Sequence, residues 1–269
     1  MNQKCLPLLR WAGSKKRQFG SISNLFPLSY KRYAEPFAGS AAFAFCLGTD
    51  KAILNDINKD LTSFYRDVTS DPAAFYKKFT AMPRGATYYY EVRSKFNNER
   101  ECCDRSILFY YLNRNCFNGI HRLNKRGEFN VPFSSSRVSS YLSEDQFLRS
   151  VEVVKNAKIH CLDFEDFCDR NLEEGDFVFI DPPYYSADRM FNEYNIKAFD
   201  REDFGRLERL LVRLNEKGIS FLLSFPEVPE SKELASHWSS SCVPVRRTIA
   251  SDPAKRRVSN ELLIHNYAV

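Results

Sequence analysis

Apolar positions in this chain fall either in short unbroken runs or in stripes at helical spacing, and the alternation between the two lays out a fold. Residues 31–38 (KRYAEPFA) read as a short strand, followed at 39–45 (GSAAFAF) by a glycine turn and a helix entry. Residues 51–54 read as a second short strand ending in Asn55-Asp56, and 60–69 carry the stripe of an amphipathic helix. Further strands are predicted at 158–162, 176–180 and 219–225, with a helix over 201–217 closed by Gly218. Two last strands, at 242–249 and 258–267, flank a basic loop. Strands alternating with helices predict an α/β protein whose mainly parallel sheet is covered on both faces. Between about 71 and 150 the texture changes, as helical stretches rich in Tyr and Phe give way to RNCFNGIHRLNKRGEFNVPFSSS. That run is loop chemistry with aromatic and basic residues interleaved, and it reads as an insertion into the sheet domain.

Composition narrows the class. At 269 residues with 43% hydrophobic content, the chain can build one or two domains with a proper core. No apolar run reaches the roughly 18 residues of a membrane span, and the stretch MNQKCLPLLRWAGSKKR is too weakly apolar for a signal peptide. The expectation is a soluble intracellular protein, cytoplasmic or nucleoid-associated, or acting in a host cell if viral. The eight cysteines include no C-x-x-C pair and the four histidines lie at no useful spacing from them, so no metal is expected. Most of the thiols are expected to be buried. The net charge of +5 is concentrated at 10–17, 114–137 and 246–257. Three such clusters could converge on one face and follow a phosphate backbone, although solvated surface charge is the plainer reading of any one of them.

Candidate chemistry sits at the strand ends, where ligands bind in open α/β sheets. Gly39 follows the first strand, and Asp56 ends the second 17 residues later, a separation that suits an acid bonding paired ribose hydroxyls. Only one glycine is present, so a pyrophosphate cradle is poorly supported. A nucleoside without phosphates fits better, and S-adenosylmethionine is one. Asp163-Phe164 ends a third strand, where an adenine could meet a carboxylate and a ring. Each of these acids could equally be a turn former or helix cap. The run FVFIDPPYY carries more. A buried strand is stopped by a carboxylate, two prolines that cannot continue it, and two rings. An exocyclic nucleobase amine is a poor nucleophile because its lone pair is delocalised into the ring. Two acceptors aimed at its hydrogens, the Asp181 carboxylate and the Pro182 carbonyl, favour the pyramidal nitrogen that can attack a methyl group. Tyr184 can stack on the base. The bland alternative is a simple Pro-Pro turn.

The motifs RWAGSK, YAEPFAGSAA, LNDIN, RNCFNGIHRLNKRGEFNVPF, FVFIDPPYY and VRRTIASDPAKRRVSNELLIHNY, in that order, make the chain resemble the D12 class of N6-adenine DNA methyltransferases, the GATC-methylating type in particular. The resemblance implies a Rossmann-like methyltransferase sheet over 1–60 and 151–269, with an inserted, mainly helical target-recognition domain over 61–150. It implies S-adenosylmethionine as cofactor and double-stranded DNA as partner, with the chain acting as a monomer or weak dimer without metal or membrane. By position, Trp11, Lys15, Phe37, Gly39, Asp56, Asp163, Phe164 and Asp181 would line the cofactor pocket. Asp181, Pro182, Pro183 and Tyr184 would grip the flipped adenine. Arg10 would reach toward the target site, Phe117 would insert beside the displaced base with Asn118 next to it, and Ile120, Arg122 and Pro132 would contact bases. Arg122 suits that task because a guanidinium can bond guanine O6 and N7 together, although a phosphate contact is the alternative. Tyr194 and Phe199 match a second aromatic pair near the base, and Lys255, Arg256 and Arg257 would touch phosphates. The chain departs from the family pattern at Ala41, which stands for a second glycine, at the serines after NVPF, and at the end of ISFLLSFPEV, where Ser-Asn is usual. Two other readings stand beside methylation of DNA: a DNA-binding module that keeps the fold without catalysis, and a methyltransferase acting on RNA adenine or on protein glutamine. The last usually shows Asn in place of Asp181.

Overall fold

The computed structural model describes residues 5–49, 51–135, 141–183, 199–246 and 258–268. Seven strands form one sheet in the order β3-β2-β1-β4-β5-β7-β6. They are β1 (Tyr33–Glu35), β2 (Ala52–Asn55), β3 (Lys158–His160), β4 (Phe177–Ile180), β5 (Ser220–Pro226), β6 (Ser239–Arg246) and β7 (Val258–His265). The first five run parallel, and β7 lies antiparallel to both β5 and β6. All seven overlap the stretches predicted to be strands, most are shorter than predicted, and β6 begins three residues before its predicted start at 242. From β1 the chain moves outward to β2 and β3, then returns to place β4 on the other side of β1. That reversal opens a crevice beyond the carboxyl ends of β1 and β4, the position where sheets of this kind bind ligands.

Among the described residues ten helices cover the sheet: α1 (Phe19–Ile22), α2 (Ala42–Leu47), α3 (Lys59–Asp67), α4 (Pro72–Thr80), α5 (Ala86–Asn98), α6 (Arg105–Asn115), α7 (Glu144–Lys155), α8 (Phe164–Asn171), α9 (Arg201–Glu216) and α10 (Pro229–Ala235). Each strand residue of β4 chooses a layer by the two-residue period of a strand. Phe177 and Phe179 join the cluster that holds α1 to α7, whereas Val178 and Ile180 join the cluster of α8, α9 and α10. The result is a mixed α/β protein with a Rossmann-like, three-layer arrangement.

Helices α3 to α7 all lie between β2 and β3 in sequence, where the insertion was expected. Their aromatic side chains do not form a core of their own. Phe64, Tyr110 and Phe147 belong to the same buried cluster as Phe43 and Phe179 at the sheet, so these helices share one continuous core with it. Stacked or tilted rings 4.4–6.1 Å apart, such as Phe43 on Phe179 and Phe64 on Tyr110, make up much of that core. One expectation fails: of the eight cysteines only Cys116 and Cys168 are buried, while Cys103 and Cys242 are exposed. Cys103 lies in the charged turn before α6, and Cys242 lies on the edge strand β6, where one side faces solvent. No helix is long and apolar enough to cross a membrane, and no group of His, Cys, Asp and Glu is placed to hold a metal, both among the described residues.

Candidate active site

The crevice is built from three strand ends tied together by one side chain. Asn55, the buried last residue of β2, donates from Nδ2 to the carbonyls of Pro36 and Leu162, both at 3.0 Å, and accepts the Leu162 N–H at 2.9 Å. It therefore fixes the loops after β1 and β3 relative to β2. The loop after β1 turns sharply into α2 through two left-handed residues, Gly39 (φ 47°) and Ala41 (φ 47°). A side chain at 39 is barred twice, since a Cβ there would lie 2.7 Å from Trp11 Cδ1. Ala41 explains the second glycine of the family pattern: the backbone needs a left-handed residue, and alanine holds it at a cost of about 1–2 kcal/mol.

Asp56 accepts the Gly39 N–H (2.9 Å) and the Asn58 N–H (2.9 Å), and burial raises its pKa. The Gly39 N–H is thus spoken for by a carboxylate and does not point toward a phosphate. Asp163 caps α8 by accepting the Glu165 N–H at 3.0 Å, and it also pairs with Arg206. The cap reading of this residue is what the fold shows. Phe37, Phe164 and Phe199 cluster at centroid distances of 5.2–6.2 Å, with the Arg206 guanidinium 4.7 Å over Phe164. Phe37 alone of the three keeps appreciable exposure.

On the other side of the crevice, β4 delivers Asp181 beside the end of β1. Its carboxylate is 21% exposed and lies 3.3 Å from the ammonium of Lys15. That ammonium is buried and sits 2.7 Å from both oxygens of Glu261 on β7. Burial, opposed by Lys15 and reinforced by the Glu261 charge, pushes the Asp181 pKa up to about 6. Next to it on β1 the buried Glu35 accepts the Tyr33 hydroxyl (2.9 Å) and the Ala44 N–H (3.0 Å), and burial lifts its pKa to about 8. Pro182 is buried and Pro183 exposed.

The third component faces outward. After α6 the chain forms a two-legged loop, pinned by the Phe117 N–H donating to the Pro132 carbonyl (2.9 Å) and by a bridge between Leu123 and Phe129. Phe117 is 46% exposed at its base, and Asn118 is left-handed (φ 54°), so the turn holds the ring off the core. Arg122 donates from Nε to Asn130 Oδ1 (2.8 Å), which orients its guanidinium across the loop, and Pro132 is exposed. Arg10 is clamped to α6, its N–H on Asn113 Oδ1 (2.9 Å) and its carbonyl on Asn113 Nδ2 (2.7 Å), and it lies against Gly119. The Trp11 ring, against Gly39 on one side, stacks 5.5 Å from His121 on the other. Burial drives the His121 pKa down to about 4.

Several residues expected to meet DNA or solvent are buried. Ile120 is 9% exposed and lines a small cleft with Phe96, Phe109, His121 and Phe129, so its side chain packs inward. Phe199, expected near the target base, is buried against Phe37 and Phe164. Lys15 and Arg114, counted among the basic clusters, are buried, Lys15 against two carboxylates. Charge counting along a sequence cannot tell such a residue from one in solvent. The assignments at Tyr184, Tyr194, Lys255, Arg256 and Arg257 lie outside the described residues. Sequence reasoning passed over Glu261, Asn55, His121 and Asn113. The one available signal was an acid opening the otherwise apolar run ELLIH.

A carboxylate-Pro-Pro turn at a strand end of an α/β sheet, together with an aromatic and basic loop after α6, agrees with what comparison of the sequence shows. Residues 11–252 match the model of the D12 class N6 adenine-specific DNA methyltransferases. The chain belongs to that family. The D12 match is supported by similar full-length relatives. The Type II methyltransferase M.MjaIII of Methanocaldococcus jannaschii is 32% identical over 97% of this chain and 99% of its own. The DNA adenine methylase of Escherichia coli K12 is 32% identical over 95% of this chain and 93% of its own, and that of Haemophilus influenzae 32% over 96% and 92%. As a D12 enzyme this protein is an adenine-specific DNA methyltransferase.

Proposed function

We propose that the protein transfers a methyl group from S-adenosylmethionine to N6 of an adenine swung out of duplex DNA, within the sequence GATC. The observation that carries this reading is the Asp181-Pro182-Pro183 turn at the switch point of the sheet, with a partly open carboxylate next to the glycine turn of β1. The crevice fits the donor. Asp56 offers a carboxylate at a strand end for paired hydroxyls, and Phe37 offers a ring face. When bound, the cofactor supplies an activated methyl on a sulfonium. Gly39 gives its backbone close approach, and Trp11 closes the loop from above.

The side chains of this chain do the rest. Asp181 and the Pro182 carbonyl accept the two N6 hydrogens and draw the nitrogen toward the geometry of a nucleophile. Lys15 fixes the rotamer of Asp181. An adenine can reach that turn only out of the stack, which is why base extrusion belongs to the reading. Phe117, held outward, is suited to fill the space the base leaves, and Arg122 to read a guanine edge. GATC rests on the likeness of the recognition loop, residues 114–136, to that of GATC-methylating enzymes.

The test is DNA from a host lacking adenine methylation that expresses the protein. It should resist a nuclease blocked by N6-methylation of GATC, be cut by one that requires it, and yield N6-methyldeoxyadenosine on nucleoside analysis. The Asp181→Ala protein should give none while still binding S-adenosylmethionine by calorimetry. N6-methyldeoxyadenosine in another sequence context would overturn the site, and an active Asp181→Ala protein would overturn the mechanism.

A further inference from the structure

Lys15 is the hub of a buried charge cluster whose second acid, Glu261, has no part in the reading above. Its ammonium is shared unequally, at 2.7 Å from both oxygens of Glu261 and 3.3 Å from Asp181 Oδ1. Glu261 is itself nearly inaccessible and accepts the Ser224 hydroxyl on Oε2 at 3.2 Å. Three elements meet there: the start of the turn Lys15–Gln18, β5 and β7. Because one nitrogen touches both carboxylates, their oxygens lie no more than about 6 Å apart, inside the range where like charges act strongly on one another.

We propose that Glu261 is a positioning residue that competes with Asp181 for Lys15, so that Asp181 is held in place by the ammonium without surrendering its capacity to accept the N6 hydrogens. If Asp181 alone held Lys15, the pairing would stabilise the anion and weaken it as an acceptor. If Lys15 were absent, Asp181 would be free to rotate and to take up a proton at the working pH. Glu261 sets the balance between the two. Among the described residues, the titratable groups facing Asp181 are Lys15, Glu261 on β7 and Glu35 on β1. With its pKa near 8, Glu35 is largely neutral at pH 7. The inference rests on the proposed role of Asp181, but the charge competition can be read without any methylation.

The experiment follows the Asp181 side-chain carboxyl by carbon-13 NMR in the protein without DNA or cofactor, the signal being assigned by its loss in Asp181→Asn. Glu261→Gln gives Lys15 wholly to Asp181 and should move the midpoint down by about one pH unit, a tenfold change in proton affinity. Lys15→Met should move it up by a comparable amount. Glu261→Asp keeps the charge on a shorter arm and should fall between wild type and Glu261→Gln; it also carries the test should the glutamine variant not fold. Opposite shifts for the Glu261 and Lys15 variants support the proposal, because a merely structural role for Glu261 would change stability and leave the midpoint of a single carboxyl where it was. A midpoint that stays put or rises in both Glu261 variants overturns it. In methylation assays of a Glu261 variant that folds, the acid limb of the rate should move to lower pH with the titration. An acid limb that ignores the shifted titration would instead count against the proposed role of Asp181.

Discussion

The sharpest consequence of the site is that its key acid costs the protein stability. Raising the Asp181 pKa from the usual 3.8 to about 6 means that the fold holds this carboxylate ionised at pH 8 against a penalty. At about 1.36 kcal/mol per unit, two units amount to roughly 3 kcal/mol, and access of water to the exposed fifth of the side chain trims that to ~1–3 kcal/mol. Replacing Asp181 by Asn keeps the shape and removes the charge, while Lys15 stays paired with Glu261. The variant should therefore be more stable at pH 8 by that amount, which at about 2 °C per kcal/mol for a chain of this size is a melting shift of roughly 2–6 °C. The sign with pH follows from proton binding. The folded protein holds the Asp181 proton between about pH 4 and 6 and the unfolded chain does not, so the penalty is complete above pH 6 and fades as pH falls through that window. The advantage of Asp181→Asn should drop to about half at pH 5 and vanish near pH 3. Urea unfolding of the two proteins at pH 8 and pH 5 measures it. A variant less stable than wild type at pH 8, or a difference that does not change with pH, would refute the assignment of Asp181 as a strained, partly desolvated carboxylate.

Three further outcomes are expected. Gly39→Ala forces a side chain into a left-handed residue facing Trp11 at 2.7 Å, so it should lower stability by about 1–3 kcal/mol and weaken S-adenosylmethionine binding at least tenfold by calorimetry. Glu35→Gln should be tolerated at pH 7. Because the raised pKa makes the wild type lose stability as pH climbs from about 4.5 through 8, the variant should be the more stable protein at pH 9, as seen in parallel melts. Phe117→Ala removes an exposed ring, so melting temperature and cofactor affinity should hold, while single-turnover methylation of duplex DNA falls about tenfold, the equivalent of ~1.4 kcal/mol of lost base contact.

Much of the sheet was legible because buried parallel strands leave unmistakable marks. FVFI, ISFLLSF and AILN are apolar runs too short for helices, and each is followed by a turn residue or an acid. The strand ends therefore pointed to Asp56 and Asp181 before any coordinates. Glycine chemistry was legible too, and the left-handed Ala41 shows the same backbone requirement met by a poorer residue. Side-chain direction was not legible. Ile120, Phe199, Lys15 and Arg114 sit in motifs that read as exposed, yet long-range packing turns each of them inward. Lys15 and Glu261 are 246 positions apart, and Arg10 and Asn113 are 103 apart. No local pattern records such pairs. Asp163 was legible as both a cap and a ligand, and the fold shows the cap.

The central claim is that an adenine taken out of the duplex lodges against the turn at Asp181 with the methyl donor behind it. The measurement that tests it most directly is a crystal structure of the protein with a non-reactive analogue of S-adenosylmethionine and a duplex containing GATC. The account predicts the target adenine N6 within about 3 Å of both the Asp181 carboxylate and the Pro182 carbonyl, with the analogue seated between Gly39 and Asp56. An adenine left stacked in the duplex of an active complex, or an extruded base bound away from residue 181, would contradict it.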